Sequence, residues 1–166
     1  LFRSSGFNHE LIWLIVVAFF LAKGFIKTGL GNRIALWLIH YFGKKTLGLA
    51  YALCFADLIL SPATPSSTAR CGGVIYPITQ SLSHYFNSFG HEKSRHKIGA
   101  YLISCISHAN DITGTLFITA FVANPLIVKI ASGFGVELSW GTWFLAALCP
   151  ALIALFFVPI ALYFIV

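Results

Sequence analysis

The sequence is poor in charge. Only 10% of its 166 residues are Asp, Glu, Lys or Arg, whereas about a quarter are charged in ordinary soluble domains. The hydrophobic set supplies 58% of the residues, and several runs approach the roughly 20 apolar residues that cross a bilayer. These runs are continuous rather than alternating, which argues against a β-barrel. The composition therefore predicts an all-α fold, that of a polytopic helical membrane protein.

Two patterns of charge and cysteine are also missing. The net charge is +6, but the basic residues are spread through loops and the ends of spans, where positive-inside topology places them. A clustered basic stripe is absent, which argues against nucleic acid as a partner. There is no C-x-x-C pair, so we expect the cysteines to be small buried residues rather than disulfides or metal ligands. They are Cys54, Cys71, Cys105 and Cys149.

The ends of the sequence suggest a fragment. The chain begins with Leu1 instead of Met and stops within the apolar run LYFIV. We therefore expect part of a longer polytopic protein. A bacterial inner membrane and a plastid inner envelope fit the composition equally. We favour the bacterial membrane because nothing resembling a transit peptide is visible.

Apolar runs and polar punctuation organise residues 1–166 as a single transmembrane domain. Trp13, Lys23 and Lys27 look like interfacial anchors of the first span. We predict spans over 9–27, 47–60 and 143–166, a re-entrant hairpin over 57–86, a basic cytoplasmic loop over 87–97 and a broken helix over 98–123.

Two polar stretches interrupt the apolar sequence, Ser61–Pro77 and His108–Thr115. Each is rich in hydroxyl and small residues between short apolar arms. Backbone that is not helical at membrane depth survives only where protein buries it or where it lines a watery cavity. Secondary transporters build midplane sites from such broken helices, whose free N–H and C=O groups suit anions and cations. The alternative is that each stretch is an ordinary loop between spans.

The first polar stretch resembles a known hairpin tip. Thr64-Pro65-Ser66-Ser67-Thr68-Ala69-Arg70, followed by Gly72-Gly73 and Tyr76-Pro77-Ile78, is similar to the tip signature of the divalent anion:sodium symporter family. The stretches AKGFIKTGLGNRIA and FITAFVANP also resemble its 2-oxoglutarate/malate translocator branch. The resemblance covers most of the chain.

The resemblance implies a partial inverted-repeat transporter. The chain would be the first of two repeats, without the second half, and the hairpin-bearing part would move like an elevator against a scaffold. The whole protein would be a homodimer in the bilayer. The tip and an unwound loop would hold one end of a dicarboxylate substrate. The implied substrate-binding residues are Ser66, Ser67, Thr68, Thr113, Gly114 and Thr115.

The middle residue of the tip departs from the family pattern Ser-Asn-Thr, because Ser67 stands where that pattern has Asn. A sodium ion, the one cofactor that the resemblance implies, would be held by Ser66, Ser67 and Gly114. A serine hydroxyl is a weaker ligand for a hard cation than an amide carbonyl. We therefore expect exchange of one dicarboxylate for another, with sodium-coupled dicarboxylate or citrate symport as the alternative.

The charged residues at membrane depth allow more than one interpretation. Arg70, with Thr64 beside it in the tip, either attracts the anionic substrate or locks the hairpin, for example by pairing with Asp57. A rival hypothesis of another class is an intramembrane aspartyl hydrolase that uses Asp57 and Asp111, since paired aspartates can share a proton and activate water. No glycine-flanked G-x-G-D surrounds either aspartate, and this hypothesis leaves the hydroxyl-rich hairpin unexplained.

Overall fold

The computed structural model describes residues 10–89, 94 and 98–166. Every regular element within these residues is helical, as the continuous apolar runs predict. Most of the predicted basic loop 87–97 lies outside the described residues. The α-helices are α1 Glu10–Thr28, α2 Leu30–Phe42, α3 Thr46–Leu60, α4 Ser67–Arg70, α5 Tyr76–Tyr85, α6 Ile98–Leu116, α7 Ala123–Gly133 and α8 Trp140–Ile165.

Short irregular helices join these elements near the polar stretches. A 3-10 turn, Ser61–Ala63, extends α3, and a second one, Ile118–Ala120, follows α6. A π-helical turn, Cys71–Ile75, links α4 to α5. Such π turns often mark functional positions in helices.

Helix α3 lies at the centre of the fold. Ala50, Ala52, Leu53 and Ala56 are fully buried, and α3 packs against α2, α6 and α8. The apolar core joins α2, α3, α5 and α6 with the π turn. In lipid, the close packing of these side chains stabilises the core, because there is no hydrophobic driving force between membrane helices.

Small residues allow the closest approaches in this core. A Cβ on Gly31 of α2 would lie 2.8 Å from Cγ1 of Val74 in the π turn. At Gly29 the chain between α1 and α2 has φ +66°, a left-handed conformation that glycine adopts without steric cost.

Two tyrosines attach α8 to the core at its second proline. The Tyr101 hydroxyl donates to the Pro159 carbonyl at 2.9 Å, and the Tyr51 hydroxyl donates to the Phe156 carbonyl at 2.6 Å. The tyrosines thus fix α8 against α3 and α6.

Two segments in the described part of the chain are long and apolar enough to cross a membrane, Thr46–Ala63 and Trp140–Ile165. The outer face of α8 exposes large apolar side chains such as Leu152, Ile153, Phe156 and Phe157. This is the composition that a lipid-facing helix requires.

The predicted break at His108–Thr115 is wrong in position. The chain is helical through this stretch, and α6 continues to Leu116 before the backbone becomes extended at Phe117. The polar residues of the stretch do not unwind the helix because Asn110 and Thr113 point inward and make hydrogen bonds there. Non-helical backbone occurs instead at residues 117–122.

Candidate functional site

The chain reverses between α3 and α4 in a turn that we call the tip, residues 61–68. The Thr64 hydroxyl donates to the Leu60 carbonyl at 2.8 Å, which satisfies one of the free carbonyls at the end of α3. Thr64 is extended, as the residue before Pro65 is expected to be. The Ser66 hydroxyl accepts a hydrogen bond from the Ala69 N–H at 3.2 Å and so caps α4.

Arg70 lies directly beneath the tip and is fully buried. Its Nε donates to Oδ1 of Asp57 at 2.8 Å. Its Nη1 donates to the carbonyls of Thr64 at 3.3 Å and of Ala120 at 3.5 Å. Its Nη2 donates to Oδ1 of Asn110 at 3.1 Å and to the Thr113 hydroxyl at 3.0 Å. One side chain therefore ties together α3, the tip, α6 and the segment after α6.

The partners of Arg70 complete a closed network, which we call the arginine cluster: Asp57, Thr64, Arg70, Asn110 and Thr113. The Thr113 hydroxyl also donates to Oδ2 of Asp57, so both carboxylate oxygens are engaged. No buried side-chain nitrogen or oxygen in the described part of the chain lacks a hydrogen-bond partner. Arg70 and Thr64 thus fit the structural alternative, in which the ion pair locks the hairpin.

A second non-helical segment, residues 117–122, lies against the tip. The Thr119 hydroxyl donates to the Pro62 carbonyl at 2.9 Å. The buried Asn124 side chain donates to the carbonyls of Gly114 at 2.8 Å and Phe117 at 2.9 Å. Asn124 thereby satisfies carbonyls that the end of α6 leaves free. The non-helical backbone opposite the tip is this segment. Residues Thr113–Thr115, which were predicted to be unwound, are helical.

The predicted substrate residues divide into a surface group and a buried one. Ser67 and Gly114 adjoin, because a Cβ on Gly114 would lie 3.9 Å from the Ser67 Cβ. Thr68 and Thr115 are exposed, and Ser66 and Ser67 are partly exposed. Thr113 is fully buried within the arginine cluster, where its hydroxyl contacts Arg70 and Asp57.

Sequence reasoning missed Asn110, Thr119 and Asn124 as parts of this arrangement. Asn110 and Thr119 carry no motif that distinguishes them from other polar helix or loop residues. Asn124 did offer a signal, since Asn124-Pro125 punctuates the apolar run FITAFVANP and an Asn-Pro pair favours a change of backbone direction.

The proposed aspartate dyad of a hydrolase does not form. Asp57 is buried and ion-paired with Arg70, whereas Asp111 is exposed on α6. Both oxygens of Asp57 accept hydrogen bonds within the arginine cluster, so this carboxylate serves as a structural ion-pair partner. The hydrolase hypothesis is therefore wrong.

The chain is similar in sequence to known transporters. The chain is 52% identical over 160 residues to YflS of Bacillus subtilis, a candidate malate transporter. This alignment covers 96% of the chain and 34% of the relative. It is 45% identical over 161 residues to the chloroplastic dicarboxylate transporter 2.1 of Arabidopsis thaliana, covering 96% of the chain and 29% of the relative. It is 42% identical over 156 residues to an L-tartrate/succinate antiporter of Escherichia coli, covering 93% of the chain and 32% of the relative.

The chain thus spans about a third of the length of these relatives. All three are transporters, and none is an enzyme. A sequence profile described as "sodium:sulfate symporter transmembrane region" matches residues 3–166. The chain therefore belongs to the sodium:sulfate symporter transmembrane family.

Proposed function

We propose that this chain is the hairpin-bearing part of a secondary transporter that exchanges small dicarboxylates, with 2-oxoglutarate and malate as the pair. The observation that carries the proposal is the contact between the hydroxyl-rich tip and the non-helical segment 117–122, fixed by Arg70. The names of the relatives supply the substrate class. The tip would be a re-entrant hairpin and α6 with α7 a discontinuous transmembrane helix.

The remainder of the carrier would supply a second, inverted repeat and complete the site. The complete carrier would be a homodimer in a bacterial inner membrane. The hairpin-bearing part would shift across the bilayer relative to a scaffold part. The arginine cluster supports such a rigid-body step, because it binds the tip to α3 and α6 in one unit.

The surface of the tip provides the chemistry for carboxylate binding. Thr68 is exposed, and Ser67 and Gly114 meet at its base. A hydroxyl that donates to a carboxylate makes a charge-assisted hydrogen bond, which is stronger than a neutral one. Ser66 accepts from the Ala69 N–H and keeps its own proton available for donation.

The same geometry argues against a sodium ion at Ser66, Ser67 and Gly114. The Ser66 hydroxyl and the Gly114 carbonyl already accept hydrogen bonds. The oxygen-rich centre beside them, which carries the kind of ligands that hard cations prefer, is filled by the Arg70 guanidinium. We therefore propose exchange without sodium coupling.

Counterflow in proteoliposomes tests the proposed function. The complete carrier that contains this chain would be reconstituted, loaded with unlabelled malate and offered labelled 2-oxoglutarate outside. We expect labelled substrate to accumulate transiently, and only in loaded vesicles. Absence of counterflow with malate, succinate and tartrate alike would show that the proposal is wrong.

The same vesicles test coupling when choline replaces sodium in both compartments. We expect the initial exchange rate to stay the same, since the Arg70 guanidinium fills the oxygen-rich centre beside the tip. A rate that falls with sodium removal would instead support sodium-coupled symport.

A conservative change at the tip tests the role of its hydroxyls. Thr68→Val keeps the shape of the side chain and removes the donor, so we expect KM for malate to rise by roughly tenfold or more, from a loss of about 1.5 kcal/mol or more per hydrogen bond to a charged group. Thr68→Ser retains the hydroxyl and should stay close to the parent. Equal KM values for Thr68→Val and the parent would show that the Thr68 hydroxyl does not bind the substrate.

A further inference from the structure

In the proposed carrier α6 begins a discontinuous transmembrane helix, and its exposed face differs from that of α8. Its exposed residues are Ile103, Ser107, His108, Asp111 and Thr115, and Ser104 and Ile112 are partly exposed. All of the exposed residues but Ile103 are polar, and they recur every three or four residues, which places them along one side of the helix. We call this side the polar face of α6.

Lipid does not suit this face. The adjacent helix α8, which packs against α6, exposes large apolar side chains such as Leu152 at 46% and Phe156 at 56%. Ionisable residues within membrane helices almost always face a protein interior or water, because hydrocarbon leaves a charge unsolvated. Asp111 lies well inside a 19-residue helix, so the polar face requires a covering other than lipid.

The described residues do not provide that covering. The ion pair of Arg70 with Asp57 does not reach this face, because Arg70 is enclosed by the arginine cluster. The buried side of α6 already packs on α3, α5 and α8. Asp111 therefore contributes a negative charge that no cation within residues 10–89, 94 and 98–166 neutralises through an ion pair.

A dicarboxylate carrier adds a second constraint. Thr115 of the polar face lies beside Gly114, which adjoins Ser67 of the tip, so Asp111 is one helical turn from the proposed substrate position. An unpaired carboxylate there would repel an anionic substrate. A neutralised one would not, so the group that covers Asp111 must be positively charged.

We propose that the polar face of α6 is the docking surface for a transmembrane helix from the remainder of the carrier, and that this helix places a lysine or arginine against Asp111. The relatives are about three times as long as this chain, so the carrier has sufficient further sequence to supply the helix. This inference rests on the proposal that the chain is one part of a longer dicarboxylate carrier. Water and a second copy of this chain are the competing occupants.

Cysteine labelling in native membranes separates these occupants. In a complete carrier whose native cysteines are replaced, Ser107→Cys reports on the polar face. Glu137→Cys, in the exposed connection before α8, is the control for a position in contact with water. Leu152→Cys is the control for a position in contact with lipid. We expect Ser107→Cys to react with neither a charged maleimide nor a lipid-soluble one until the membrane is dissolved in denaturing detergent.

Three outcomes would overturn the proposal. Labelling of Ser107→Cys by the charged reagent, as for Glu137→Cys, would mean that water covers the face. Labelling by the lipid-soluble reagent, as for Leu152→Cys, would mean that lipid does. A disulfide-linked dimer through Ser107→Cys would place a second copy there.

The charge itself is tested by thermal unfolding of the purified complete carrier. Asp111→Asn leaves the partner cation unpaired, and we expect Tm to fall by roughly 5 °C or more, whereas Asp111→Glu should stay close to the parent. Neutralising the partner lysine or arginine should restore Tm in the Asp111→Asn background. An unchanged Tm for Asp111→Asn would contradict the proposal. Labelling and Tm do not require transport, so failure of the dicarboxylate proposal in the counterflow assay would be recognised separately.

Discussion

Arg70→Met should destabilise the folded carrier by about 3–5 kcal/mol, the usual consequence of removing one partner from a buried ion pair. The substitution leaves the Asp57 carboxylate buried without its cation and removes the donors to Thr64, Asn110 and Ala120. Since whole domains are stable by only about 5–15 kcal/mol, we expect loss of most of the folded protein. Thermal unfolding monitored by size-exclusion chromatography of the detergent-solubilised carrier measures the effect.

The double variant Asp57→Asn with Arg70→Met provides the matched control. It removes both charges, so it should be more stable than Arg70→Met alone, because no unpaired charge stays buried. Arg33→Met, on an exposed position of α2, should leave Tm unchanged. A Tm for Arg70→Met equal to that of the parent would mean that the arginine cluster does not hold the tip.

Gly114→Leu should abolish most of the exchange without unfolding the carrier. The added side chain extends from a position 3.9 Å from the Ser67 Cβ into the contact between α6 and the tip. Overpacking of this kind costs about 1–3 kcal/mol, and here it displaces the hydroxyls that the substrate is proposed to bind. Initial counterflow rates, normalised to the amount of folded carrier, would report a reduction of roughly tenfold or more.

Two variants show whether the effect belongs to this contact. Gly114→Ala adds a single methyl group at an ordinary van der Waals distance and should retain most of the exchange. Gly133→Leu adds the same bulk as Gly114→Leu at a glycine where an added Cβ would have no atom within 4 Å, so its rate should match that of the parent. Normal exchange by Gly114→Leu would show that Gly114 is not part of the substrate site.

Sequence alone predicted the helical class and the interruption of the helix at Pro62 and Pro65 because both have local causes. Long apolar runs report on the bilayer, and Pro62 and Pro65 restrict the backbone wherever they occur. The pairing of Asp57 with Arg70 was one of two open alternatives, since the sequence shows the two charges and not the distance between them. The structure decides it through a 2.8 Å contact.

The misplaced break at His108–Thr115 shows why polarity is ambiguous in a membrane sequence. Polar residues accompany unwound backbone, but they also line the inner side of an intact helix that faces a buried charge. Asn110 and Thr113 belong to the second case, and their partner Arg70 is 40 and 43 residues away in sequence. No local pattern records a contact over that separation.

The arginine cluster has a consequence for the energetics of transport. Its arginine and its aspartate form a pair without net charge, so the pair can travel through the electric field of an energised membrane without work. A single uncompensated charge would instead gain or lose about 2.3 kcal/mol for every 100 mV. In the proposed exchange of dianion for dianion, the cluster would therefore add no electrical work, and the substrate gradients would set the direction of flux.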